Sequence, residues 1–187
     1  MNIFILDDQP EIAAQMMCDK HVVKMILESC QLLSTAHHVL DGDVMVVDTG
    51  LRKYKTSICT TKDICKATMI NHPCTIWTRE TRSNYMWLWK HAKALCAEYT
   101  KRYGKVHVME ERLMGGLYNP PKNITKGKLT PFAQAMPDQY KDSNAVIAYR
   151  KYYINEKKRF AKWKNNSVPK WFSEENPELE IYADLPF

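Results

Sequence analysis

Five polar residues near the start of the chain, His21, Lys24, Glu28, Gln31 and Thr35, follow one another in steps of three and four. On a helix that spacing puts them in a line along one face. A histidine, a lysine, a carboxylate and an amide in a row can move protons or support Schiff-base chemistry on an amine. The same line also describes an ordinary solvated face. Lys24 and Glu28 would then form an i,i+4 pair worth roughly 0.2–0.5 kcal/mol, and spacing alone favours that plainer reading.

These residues need a helix to hold them. Val22, Val23, Ile26, Leu27, Cys30 and Leu33 recur at helical spacing and supply its apolar stripe. Pro10 suits a first helical turn with Asp8 as a possible cap, so the pattern predicts a helix running through residues 19–28 to about His38. Residues 1–8 form a short apolar lead-in ending in Asp7 and Asp8, and Asp41-Gly42-Asp43 breaks the helix. Between 43 and 70 the sequence is irregular, with Val44 to Val47 and Gly50 hinting at a small hairpin or loop.

Asn71-His72-Pro73 marks a helix start, and a stripe from Ile76 and Trp77 through Leu88, Leu95 and Tyr103 is closed by Gly104. Ser83 can restart it, so a break is expected near Arg82. Residues 104–141 hold four of the six glycines and four of the nine prolines, the signature of a long functional loop. A last helix starts near Asp142 or Ser143, with Val146, Tyr149, Tyr153, Phe160 and Trp163 facing inward. The expected fold is mainly α: a compact single domain over 1–187, built as a bundle of three principal helices with an insertion at about 104–141.

The formal net charge is +6 over 187 residues. Its distribution says more, because the first twelve and last fifteen residues carry no basic side chain. The positive charge lies between Lys20 and Lys170, as expected where the middle of a protein faces an anionic polymer. From Tyr149 to Phe172, eight Lys or Arg stand against Glu156 alone, interleaved with aromatic rings. Cations bind phosphates and rings stack on bases, although Tyr149, Tyr153 and Phe160 belong to the inner stripe. For Lys170 and Trp171 the packing and binding readings are balanced.

Six cysteines without pattern, ten methionines and no basic, apolar leader point to an intracellular protein. No stretch has the length of a membrane span. Cys59, Cys65, His72 and Cys74 could supply four zinc ligands, but they lack the short cysteine knuckle of structural sites. Phosphate-binding, nucleophile-elbow and dinucleotide motifs are missing.

The pattern Asp19-x-His21-Val22-Val23-x-x-x-x-Glu28 resembles the pyrimidine-dimer DNA glycosylases of the phage endonuclease V type. The resemblance extends more loosely to the helix from His72 to Gly104 and to the Tyr/Lys/Trp-rich C-terminal part. The insertion has no counterpart. This resemblance implies an all-helical fold and a DNA glycosylase with AP-lyase activity on damaged or modified bases. In that family the α-amine at the N-terminus attacks C1′, forms a Schiff base with the sugar, and β-elimination cuts the strand. An α-amine has a pKa of about 8, so part of it is free nucleophile at neutral pH, where a lysine is almost wholly protonated.

Carried over by residue, Glu28 becomes the catalytic carboxylate and the amine belongs to Met1 or, after its removal, Asn2. Asn2 is bulkier than the residues that usually permit that trimming, and Lys24 is the fallback nucleophile. His21 becomes a DNA-contacting residue, joined by Lys20, Lys24 and Gln31, with Arg79, Arg82, Lys170 and Trp171 in support. Leu27 and Gln31 stand where the phage enzyme has arginines, and Lys20 and Lys24 can substitute. The expected partner is double-stranded DNA, bound by a monomer inside the cell, in the host cytoplasm if the gene is a phage's. No metal or other cofactor is required. The alternative is a non-catalytic nucleic-acid-binding helical protein.

Overall fold

The structure, a computed structural model, describes residues 1–48, 53–59, 61 and 63–176, with backbone alone over 44–48 and 53–58. It is mainly helical: α1 Pro10–Gln15, α2 Asp19–Leu40, α3 Pro73–Glu80, α4 Arg82–Tyr103, α5 Glu110–Met114, α6 Ala145–Lys157 and α7 Lys170–Ser173. Strands β1 Asp43–Asp48 and β2 Lys53–Ile58 form an antiparallel hairpin, with Asp43 opposite Ile58 and Asp48 opposite Lys53. The hinted hairpin is therefore present, while Gly50 lies outside the described residues. Among those residues there are seven α-helices where three principal ones were expected; α2, α4 and α6 are the longest.

Local chemistry sets most helix ends. The His72 ring accepts the Cys74 N–H ahead of Pro73, and the Thr81 hydroxyl accepts the Asn84 N–H at the start of α4. Gly104 closes α4 in the left-handed region at φ 66°. Asn144 caps α6 by accepting from Val146 and Ile147. Gly127 passes so close to Thr81 that a Cβ would meet its methyl group at 2.9 Å, which lets the Ser83 hydroxyl donate to the Gly127 carbonyl.

The helix expected to run from Pro10 to His38 is broken at 16–18. Nothing in that local sequence stops a helix; the tertiary structure does. The Gln15 and Met17 carbonyls accept from Arg102, the Met16 carbonyl accepts from the Trp163 indole, and the Cys18 N–H donates to the Tyr153 hydroxyl. Arg102, 1% exposed, places all five of its N–H donors, on Glu98, Asp19 and those two carbonyls. The Asp19 carboxylate also accepts the Lys164 N–H, so it ties α2 to the end of α4 and to the C-terminal segment.

One apolar core runs from Ile3 to Phe172. The lead-in is part of it: Ile3, Phe4, Ile5 and Leu6 are all buried, threaded past α2 and α6. The insertion is ordered by packing more than by regular structure. Leu113, Leu117 and Ile124 are buried, and Phe132 packs on Trp77 and Trp87.

Candidate active site

Glu28 sits in the third turn of α2, where helical geometry keeps it one turn from Lys24. The residue is 9% exposed because the lead-in runs across it. The main-chain N of Asn2 donates to Glu28 Oε2 at 3.0 Å, and Lys24 Nζ lies 3.2 Å from Oε1. Each carboxylate oxygen thus faces a nitrogen, one from the first residues of the chain and one from a lysine open to solvent. The first ammonium and Glu28 share a further neighbour in His72. Burial and that ammonium lower the His72 pKa, while the Glu28 charge raises it. Nδ1 of His72 accepts from Cys74, so the proton of the neutral ring is on Nε2.

His21 does not lie open beside Lys24 and Glu28. It is 6% exposed, stacked on Phe4 at 4.3 Å, with Nδ1 2.7 Å from the Tyr153 hydroxyl. Burial, then the Lys157 and Lys24 charges, push its imidazole down to about 3, so it is neutral at ordinary pH. Thr35, the last member of the line, is buried and holds the 65–70 segment by accepting the Thr68 N–H. Gln31 is half-buried. The line is therefore no solvated face. Conversely, Val23 and Leu27, assigned to the apolar stripe, are 40% and 41% exposed.

Of the other candidates, Lys20 is exposed with its ammonium 5.1 Å from the Phe160 ring centroid. Arg79 donates to the Ile70 carbonyl just ahead of His72, and Arg82 and Lys170 are exposed. Trp171 packs on the core, its indole N–H 3.3 Å from the Met16 sulfur and its ring 5.4 Å from the Arg150 guanidinium. Among the described residues no three metal-ligating side chains converge, Cys59, Cys65, His72 and Cys74 included. Cys74 is buried and its thiol is pushed up to about 12 by that burial.

Sequence reasoning missed Lys157. Its ammonium lies 4.4 Å from the Tyr152 ring centroid, 5.9 Å from that of Phe4, and 3.2 Å from the Tyr152 hydroxyl. Helix periodicity gave no signal for it, because what brings Lys157 to His21 is the packing of α6 across the lead-in.

The fold and site define a mainly helical protein in which the main-chain nitrogen of residue 2 meets a helix carboxylate. Residues 1–111, more than half of the chain, match the pyrimidine dimer DNA glycosylase family, and the chain belongs to that family. No curated protein and no solved structure matches it. The matched part contains α1 to α4 and Glu28; the basic, aromatic C-terminal run lies beyond it. No described helix is long and apolar enough to cross a membrane.

Proposed function

We propose that this protein is a DNA glycosylase with AP-lyase activity on damaged or modified bases in duplex DNA, with the chain's first α-amine as nucleophile and Glu28 as its partner. The observation that carries this reading is the 3.0 Å contact between the nitrogen of residue 2 and Glu28 Oε2. If Met1 is removed, that nitrogen is itself the amine. If Met1 is kept, the amine is one residue away, still close enough for its charge to act on His72 together with that of Glu28.

The amine lone pair forms a bond to C1′ as the glycosidic bond breaks, and the base leaves with the electron pair and takes up a proton. The sugar ring opens to a protonated imine. Loss of a C2′ proton then expels the 3′ phosphate and cuts the strand. Glu28 stabilises the cationic sugar and manages the protons, in a site that Ile3, Phe4 and α2 shield from bulk water. Lys20, Lys24 and Gln31 line the substrate side, over a neutral His21 that holds the floor. Arg79, Arg82, Lys170 and Trp171 supply supporting contacts.

The test is borohydride trapping on a duplex with an abasic site or a pyrimidine dimer. A covalent protein–DNA adduct on the first residue is expected, surviving EDTA, with Glu28→Gln slowing glycosylase and strand cleavage by about 100-fold or more. Salt-dependent DNA binding with no adduct would instead make this a non-catalytic DNA-binding protein.

A further inference from the structure

We infer that segment 133–136 of the insertion is a strap that fixes the position of the chain's first nitrogens, with Asn2 as the positioning residue. The inference rests on the amine chemistry above but concerns a part of the chain outside the family match, which ends at residue 111. Asn2 Nδ2 donates to the Ala135 carbonyl at 2.7 Å. Its Oδ1 accepts from the Ile3 and Phe4 N–H groups at 2.8 and 3.3 Å. One amide therefore clamps the first residues from both sides. Phe4 adopts φ 55°, a conformation bulky residues rarely take, so the surroundings hold the main chain in a turn it would otherwise leave.

The strap is itself anchored from behind. The Tyr149 hydroxyl, on a fully buried side chain of α6, donates to the Ala133 carbonyl at 2.8 Å and accepts the Ala135 N–H at 3.2 Å. Gln134 and Asp142 exchange two further bonds, Nε2 to the Asp142 carbonyl at 2.6 Å and the Asp142 N–H to Oε1 at 3.1 Å. A continuous series of bonds thus runs from α6 through the strap and the Asn2 side chain to the Asn2 nitrogen, and from there to Glu28. Chain termini ordinarily fray. Attack at C1′ needs the nitrogen within a narrow range of approach, where a misplacement of about 1 Å can cost about 100-fold in rate. A side chain that reaches the Ala135 carbonyl removes that freedom before DNA arrives.

The experiment compares wild type, Asn2→Asp and Tyr149→Phe. Asn2→Asp keeps the acceptor for Ile3 and Phe4 and loses the donor to Ala135; Tyr149→Phe loosens the strap without adding charge. Single-turnover borohydride trapping on a saturating abasic duplex should slow about tenfold or more in both, with full final adduct and Kd for the same duplex within twofold. A loss of adduct amplitude at unchanged rate, or wild-type rates in both variants, would overturn the inference. Amide hydrogen exchange at Ile3 and Phe4 gives a readout independent of chemistry. Protection should fall at least tenfold in Tyr149→Phe, and unchanged protection would overturn the strap. If wild type forms no adduct, the proposed function fails, and the exchange result still decides the strap.

Discussion

Acid should weaken this protein well before its carboxylates titrate, because buried histidines must stay neutral in the fold. His21 and His91 are both pushed down to about 3, His21 by burial and the nearby Lys157 and Lys24, His91 by burial alone. In the unfolded chain each titrates near 6.5. Below that pH the unfolded state binds a proton that the folded state refuses, so stability is complete above about pH 6.5 and lost as pH falls towards 3. At pH 5 the unfolded chain is about 1.5 units below its pKa. At about 1.4 kcal/mol per unit, each histidine removes about 2 kcal/mol, or about 4 for the pair. That is a large share of the 5–15 kcal/mol typical of a folded domain. Burial lowers the pKa of His37, His72 and His107 as well, which adds in the same direction. The perturbation is His91→Phe, which keeps a ring against Trp87, now stacked at 5.2 Å. Urea unfolding followed by tryptophan fluorescence at pH 7 and pH 5 should show the variant losing about 2 kcal/mol less than wild type. Any packing cost of the larger ring is common to both pH values and cancels. Equal losses in the two proteins would refute the reasoning.

Arg102→Met should cost about 3–5 kcal/mol, because it takes the guanidinium from the buried Glu98 carboxylate, which keeps only Lys101 and Asn166, and leaves the Met17 carbonyl without its donor; denaturant unfolding checks this, and a loss under 1 kcal/mol would contradict the network. Lys24→Ala and Lys157→Ala should each reduce the slope of log K against log salt for duplex binding by about 1, as one phosphate contact is lost. An unchanged slope would remove that lysine from the DNA-facing surface.

What could be read from the sequence was what local chemistry decides. Pro73 with His72, the restart near Arg82 and the Gly104 cap are turn and cap signals whose physics lies within a few residues, and the structure places helix ends at each. The break at 16–18 could not be read, since Arg102, Trp163 and Tyr153 impose it from distant parts of the chain. For the same reason the polar line on α2 was legible as a line but not as a site. Periodicity places His21 and Glu28 on one face; it cannot show that the lead-in covers that face or that Phe4 stacks on His21. Val23 and Leu27 fit the apolar stripe by type, yet their side chains stand open to solvent.

Those two exposed residues bear on how the site works. Leu27, directly before Glu28, and Val23, one turn earlier, leave the part of α2 beside the carboxylate with Lys20 and Lys24 as its exposed cations. Under the proposed function further positive charge beside the site would come from α6. Lys157 reaches over Phe4 and Tyr152 and, with Lys24, surrounds His21 with positive charge. The nitrogen and carboxylate that would do the chemistry both lie within residues 1–111, where the family match falls. The strap that grips Asn2 and the lysine that flanks His21 both lie outside it. The pair that would react under this proposal thus lies inside the family match, while the groups that hold and flank it lie in the C-terminal half.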